Sequence, residues 1–234
     1  VSLVRTVSDT KRKFYTHHTR PINSIYRRVV EELLVEMHLL SVNVNFRYDP
    51  IYALGVVTSF DRFMQGYRPE RDLSSIFEAL CRAVESDPEQ YRRDAEMVRS
   101  QGKALSLEQI VAWNNELGAN PEAGALYEGL KAIAFNPNFK YSRLFALGLY
   151  SLLEGTNADW AKDEKQRDRV LQELSETLKL PADKIQKDIE LYRSNLEKMA
   201  QVQAAIEDSL NADRKKRQQQ LLEKSAPIEP SDTP

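Results

Sequence analysis

From Ala182 to about Lys224 the chain contains neither glycine nor proline. No other feature restricts the fold as much. With no helix breaker and no turn former, the stretch reads as one helix. At about 1.5 Å per residue that helix reaches roughly 60 Å, longer than a compact domain of this size needs. Ile185, Ile189, Tyr192, Leu196, Met199, Ile206 and Leu210 recur by fours and threes, interrupted only by Gln203. This spacing is a heptad seam, narrow enough for one partner helix. Part of the helix is expected to project or to pair with another chain, with Tyr192, Leu196, Met199, Ile206 and Leu210 as the contact set. Past Leu210 the seam fails, because Asp213 and Arg217 hold the next core positions. The run "DRKKRQQQ", residues 213–220, then reads as a solvated helical end or frayed coil. "SAPIEPSDTP" closes the chain and reads as disordered.

Upstream, proline and glycine act as punctuation. Asp49-Pro50, Asp87-Pro88 and Asn120-Pro121 place proline at the first helical position after a polar cap. Ser106 and Gln109 have the spacing of a capping box. Gly66, Gly102, Gly118 and Gly155 fall where helices are expected to end. Between these marks the apolar spacing is helical. One helix takes Ile22, Ile25, Tyr26, Val29, Val30, Leu33, Met37 and Leu40, and the next Ile51, Leu54, Val57, Phe60 and Met64. Others take Leu73, Ile76, Phe77, Leu80 and Val84, then Leu144, Leu147, Tyr150 and Leu153. The only alternation, "VNVNF" at 42–46, is too short and isolated to seed a sheet. The fold class is therefore all-α: a helical bundle over residues 1–179, a long C-terminal helix over 180–224 and a tail over 225–234.

Bulk properties exclude several functions. With 41% hydrophobic and 29% charged residues the chain is a globular protein with a charged surface. A net charge of −2 argues against a dedicated nucleic-acid binder, which needs a basic excess. The single cysteine, Cys81, lies in the apolar run from Ile76 to Val84 and reads as a buried structural thiol in a reducing compartment. The most apolar run, Leu144 to Leu153, is about half of what a spanning helix requires. The N-terminus has no apolar core of a signal peptide, and Val1 in place of methionine suggests a processed end.

The stretch "THHTRPINSIYRRVVEELLVEMHLL", residues 16–40, holds all three histidines and the carboxylates Glu31, Glu32 and Glu36. Two-metal helical bundles use Glu-x-x-His, because residues three apart point the same way into the core. Here Val35 stands where His38 would need its glutamate. On a helical wheel His38 falls opposite the stripe of Ile22, Val29, Leu33, Met37 and Leu40, near Glu31. His17 and His18 sit just before the break at Thr19–Pro21. No metal, cofactor or catalytic residue is expected. Glu32 and Glu36 flank the stripe, and a bare buried charge is costly; Arg28 and Arg62 are their expected ion-pair partners, locking two helices. There is no glycine-rich phosphate loop, nucleophile elbow or Cys/His pair.

The N-terminal region is basic. Arg5, Lys11, Arg12, Lys13, Arg20, Arg27 and Arg28 face only Asp9 before Glu31, with Phe14, Tyr15 and Tyr26 interleaved. Arg5, Lys11, Arg12, Lys13 and Arg20 are expected to form a surface for anionic lipid headgroups or an acidic protein face.

Four strings are distinctive: "RTVSDTKRKFY", "TRPINSIYRRVVEELLVEMHLLSVN", "FRYDPIYALGVVTSFDRFMQGYRPE" and "KYSRLFALGLYSLLE". Together they closely resemble the thylakoid formation family, also called the photosystem II biogenesis protein family, of cyanobacteria and chloroplasts. The resemblance runs from Arg5 to the start of the long helix and says little about the tail. It implies a non-enzymatic accessory protein of thylakoid organisation and photosystem II assembly and repair. It implies association with membrane FtsH proteases, on the cytoplasmic (in chloroplasts, stromal) side of the thylakoid. With no transit extension before the first motif, it favours a cyanobacterial member. The alternatives are a self-associating scaffold and a chaperone-like factor touching photosystem II subunits directly. A monomer or weak homodimer is expected, peripheral to anionic thylakoid lipid.

Overall fold

The structure is a computed structural model describing residues 4–115 and 123–225. Among these residues it is all-α, with no strand. The helices are α1 (Val7–His17), α2 (Ser24–Ser41), α3 (Pro50–Phe63), α4 (Asp72–Ala83) and α5 (Pro88–Ala104). Then follow α6 (Leu107–Val111), α7 (Gly124–Ala134), α8 (Arg143–Thr156), a 3₁₀ turn (Ala158–Lys162), α9 (Glu164–Leu178) and α10 (Ala182–Ser225).

Local signals start most of these helices. Asp49 and Asp87 accept from the backbone N–H groups of Tyr52 and Glu89, with Pro50 and Pro88 in the first turn. Ser106 and Gln109 close a reciprocal capping box, and Thr6 with Asp9 closes a second at the start of α1. Each cap satisfies N–H groups that have no partner inside the helix. Gly66, at φ +79°, takes the left-handed turn beyond α3 that only glycine adopts without strain. Two expected stops are different: α5 continues past Gly102 and α8 past Gly155. Gly102 instead lies under Leu152 of α8, where a Cβ would come within 2.9 Å of Cδ1. The expected stop at Gly118, the start at Asn120-Pro121 and the tail from residue 226 lie outside the described residues.

The core is built on α3 and α8. Every residue of α3 from Ile51 to Phe60 is buried, as is every residue of α8 from Leu144 to Tyr150. A helix buried on all sides must be covered on all sides. α5 lies against both, α2 reaches α3, and α1 packs on α4 and α2. The 3₁₀ turn packs between α8 and α9, while α7 and α6 rest on α9. At the α3–α8 crossing Gly55 meets Gly148. A Cβ on Gly55 would stand 1.8 Å from the Leu144 carbonyl oxygen, and one on Gly148 1.8 Å from that of Ile51. The two backbones touch with no side chain between them, a contact open only to glycine.

The chain separates into two compact units, the first ending at Arg193 and the second beginning at Ser194. The first turns of α10 therefore belong with the bundle. Ile185, Ile189 and Tyr192 are buried there. The Tyr192 ring packs edge-on against Phe63 and Tyr150. Tyr141 donates to Asp188 at 2.7 Å, and buried Arg167 of α9 reaches Glu190 at 3.4 Å. In the second unit α10 continues unbroken to Ser225. Leu196 and Ile206 are half-buried, Met199 is buried, and every side chain from Glu207 to Glu223 is exposed.

Candidate functional site

The histidines occupy structural positions. His38 is not on a charged face, as the wheel placed it, but buried: its Nδ1 lies 2.8 Å from the hydroxyl of buried Thr10. The buried arc of α2 runs from Leu40 through Leu33, Met37, Tyr26 and Val30 to Leu34 and His38. At about 100° per residue it spans roughly 160°. The wheel drew a narrower stripe because it could not show that α1 covers the second flank of α2. Ile25, assigned to the stripe, is exposed and Val29 half-exposed. His18 is buried too, with Nδ1 2.9 Å from the Ser75 hydroxyl of α4 and Nε2 without a partner. Burial holds both imidazoles below their ordinary pKa, reinforced by Arg5 near His38 and Arg20 near His18. His17 is exposed. Among the described residues no three of His, Cys, Asp and Glu gather as metal ligands. Cys81 is fully buried, and burial pushes its thiol up to about 12, which leaves it unreactive.

The carboxylates of α2 are paired, but not as expected throughout. Arg28 does hold Glu32, at 3.0 Å and on an exposed face. Glu36 instead pairs with Arg143 at the start of α8, and Arg62 with Glu154 of α8 while also donating to the Tyr192 hydroxyl. The cause is direction. Tyr26, early in α2, donates to the Gln65 carbonyl beyond the end of α3, so the two helices run antiparallel. Arg62 thus lies beside the start of α2, about 15 Å along the axis from Glu36. Burial raises the Glu36 pKa, with Arg143 opposing it. The clasp of Arg62, Glu154 and Tyr192 joins three helices far apart in sequence, and no local pattern announces it.

The N-terminal cations are likewise engaged. Arg5 and Lys13 both hold Glu85, at 3.2 and 2.9 Å. Lys11 pairs with Glu31 at 3.6 Å, Arg12 with Asp9 at 3.5 Å, and Arg20 with buried Asp72 at 2.9 Å. The charge excess of the first thirty residues is offset by carboxylates that the fold brings from α2 and α4 and from Glu85. Of these N-terminal cations Arg27 is exposed with no carboxylate partner among the described residues, while most of the others are engaged in ion pairs.

A cavity of about 1000 Å³ forms a groove open to solvent between the end of α3, α4 and the start of α5. Its floor includes Phe60, Met64 and Phe77. Arg92 stands 4.1 Å over the Phe77 ring and holds both Asp61 oxygens at 2.8 and 2.9 Å. Arg68, Arg82 and Arg93 are paired in the same way with Glu70, Glu78 and Asp87. Every arginine that lines the groove is paired with a carboxylate.

The seam of α10 is partly used. Tyr192, expected to be free for a partner, is 3% exposed and committed to the bundle, and Met199 is buried. Leu196 and Ile206 keep part of their surface open, and Leu210 is 60% exposed.

These features define an all-helical protein whose ionisable groups largely fasten helices, and whose exposed apolar side chains include Leu210, Leu221 and Leu222 of α10. The family described as "Thylakoid formation protein" matches residues 6–221, and the chain belongs to that family. It is 59% identical over 230 residues to Protein Thf1 of Trichormus variabilis (strain ATCC 29413 / PCC 7937), covering 98% of this chain and 99% of that protein. To Protein Thf1 of Nostoc punctiforme (strain ATCC 29133 / PCC 73102) it is 58% identical, covering 97% of each. It is also similar to a solved structure of Psb29, with a TM-score of 0.76 and 44% identity over 91% of this chain and 98% of that one. Its role lies with thylakoid formation and photosystem II. No helix among the described residues is long and apolar enough to cross a membrane.

Proposed function

We propose that this protein is a non-enzymatic accessory factor in photosystem II assembly and repair that binds and stabilises membrane FtsH protease complexes at the cytoplasmic face of the thylakoid. The observation carrying this reading is the division of labour along the seam of α10. Its upstream half is spent on the bundle, while Leu196, Ile206 and Leu210 keep apolar surface on a continuous helix. An apolar helical stripe laid on a partner's helices is a common mode of protein recognition. The groove adds no rival chemistry, because its cations and carboxylates neutralise one another.

Beyond Met199 the seam holds only Ile206 and Leu210, on either side of polar positions. That is well short of the three to four heptads that a stable coiled coil requires. The protein is therefore a monomer or weak homodimer, with its seam available to a different chain. The test is copurification with FtsH from detergent-solubilised membranes. Leu196→Asp with Ile206→Asp is expected to abolish it and to leave the main thermal transition in place. Undiminished copurification would remove α10 from the contact.

A further inference from the structure

Arg214, Lys215, Lys216 and Arg217 are four successive cations on an exposed stretch of α10. Among the described residues none of them makes an ion pair or hydrogen bond. Several arginines on other surface helices do have such partners. There Arg93 meets Glu89, Arg99 meets Glu96 and Arg169 meets Glu173, one turn away each time. In α10 the places one turn from the basic run are held by Leu210, Asn211, Ala212, Gln218, Gln219, Gln220 and Leu221, with Asp213 the single acid. Like charges at this spacing weaken a helix rather than support it. The helix dipole does not explain them either, since it acts within the last turn and Arg217 lies two turns from Ser225. No local partner, then, accounts for four cations together.

We infer that this segment is a docking surface for an anionic lipid membrane. At about 100° per residue, Leu210, Arg214, Arg217 and Leu221 fall within an arc of roughly 60° along one line of the helix. Leu210 is 60% and Leu221 67% exposed. The line thus carries two guanidinium groups between two open leucines. A guanidinium matches a phosphate oxygen pair, and its stem and the leucines can enter the boundary below the headgroups. Lys215 and Lys216 lie about 130° to either side of this line, toward the far side of the helix, and add only longer-range charge. An acidic protein groove would take a single-sided charge stripe, whereas this arc mixes charge and exposed leucine as a lipid boundary does. Arg5, Lys11, Arg12, Lys13 and Arg20 of the N-terminal region, by contrast, are occupied by Glu85, Glu31, Asp9 and Asp72.

The inference sharpens the membrane part of the proposed function and does not depend on protease binding. The experiment is flotation of the full chain with vesicles of phosphatidylcholine alone or with part replaced by phosphatidylglycerol. The wild type is expected to bind only the anionic vesicles and to lose binding as salt rises. Replacing Arg214, Lys215, Lys216 and Arg217 by glutamine should weaken it at least about 25-fold, since Arg214 and Arg217, on the line that faces the membrane, contribute roughly fivefold each. Glutamine keeps helix propensity, and unchanged circular dichroism would show the helix intact. Leu221→Ser should weaken it less, and Lys11→Gln with Arg12→Gln should not weaken it. No flotation of the wild type, equal flotation of the glutamine variant, or indifference to lipid charge would overturn the inference. Loss of vesicle binding with FtsH copurification intact in detergent separates this surface from the protease contact.

Discussion

The α3–α8 pair and the distal half of α10 are both helical, and they are helical for opposite reasons. In α3 and α8 two mid-helix glycines, Gly55 and Gly148, lower the intrinsic propensity by about 1 kcal/mol each. The helices persist because their backbones meet and are covered on all sides. Distal α10, from Glu207 to Glu223, buries nothing and is made of Gln, Glu, Lys, Arg, Leu and similar residues. It is held by propensity alone, which is marginal in water. The comparison teaches that rigidity here follows close approach of backbones, while availability to partners follows its absence.

The largest effect should come from the crossing. Gly148→Ala sets a methyl 1.8 Å from a carbonyl. It should cost at least about 3 kcal/mol, because α3 and α8 must part, and Gly55→Val should give no folded protein. Leu210→Ala should stay within about 0.5 kcal/mol. Denaturant titration of the pair of variants checks both, and equal losses would break the comparison.

Tyr192→Ala should come next, at about 3 kcal/mol, because it empties a ring site between Phe63 and Tyr150. Hydrogen exchange should then speed up in the first turns of α10 and stay unchanged, already fast, beyond Glu207. Arg62→Ala should cost less than about 1 kcal/mol, since its ion pair with Glu154 is partly exposed.

Acid should sharpen the contrast. His18 and His38 have folded pKa values below the unfolded value of about 6.5. The folded state then binds fewer protons than the unfolded one. Their contribution is complete above about pH 6.5 and is lost as pH falls toward the folded values. Both histidines fasten α1, so exchange at Phe14 should rise first while distal α10 shows no such step. Asp49 works in the opposite sense: burial lifts its carboxyl to about 6, so its ionisation costs stability as pH rises through that value. Asp49→Asn keeps a capping side chain and removes that term, which should leave a steeper loss of stability below pH 6.5.

The smallest effect is kinetic. Cys81 should react with a maleimide only at the rate of unfolding, given its full burial. Fast labelling of the native protein would show that α4 opens far more readily than its packing implies.

Much of this was legible in the residues. The caps at Asp49, Asp87 and Ser106, the all-α class and the length of α10 depend on neighbours in sequence, and sequence order shows them. The pairing of Arg62 with Glu154, of Glu36 with Arg143, and of Arg5 and Lys13 with Glu85 depends on which helices become neighbours. A basic stretch therefore looked open when it was closed, and a histidine looked exposed when α1 covered it. Gly55 and Gly148 did leave a trace: a glycine inside a strongly apolar helix costs stability unless a backbone approaches it. Arg167 left none, because its carbonyl and carboxylate partners come from the 3₁₀ turn and from α10.

The sequence by itself determined where helices begin, that no sheet forms, and that α10 is long, because capping, turn chemistry and periodicity act over a few residues. Only the tertiary structure decided which charges are spent and which remain, because an ion pair across helices is set by helix direction and packing. That is why most cations of the basic N-terminus are spent in ion pairs while those of the Arg214–Arg217 run are not.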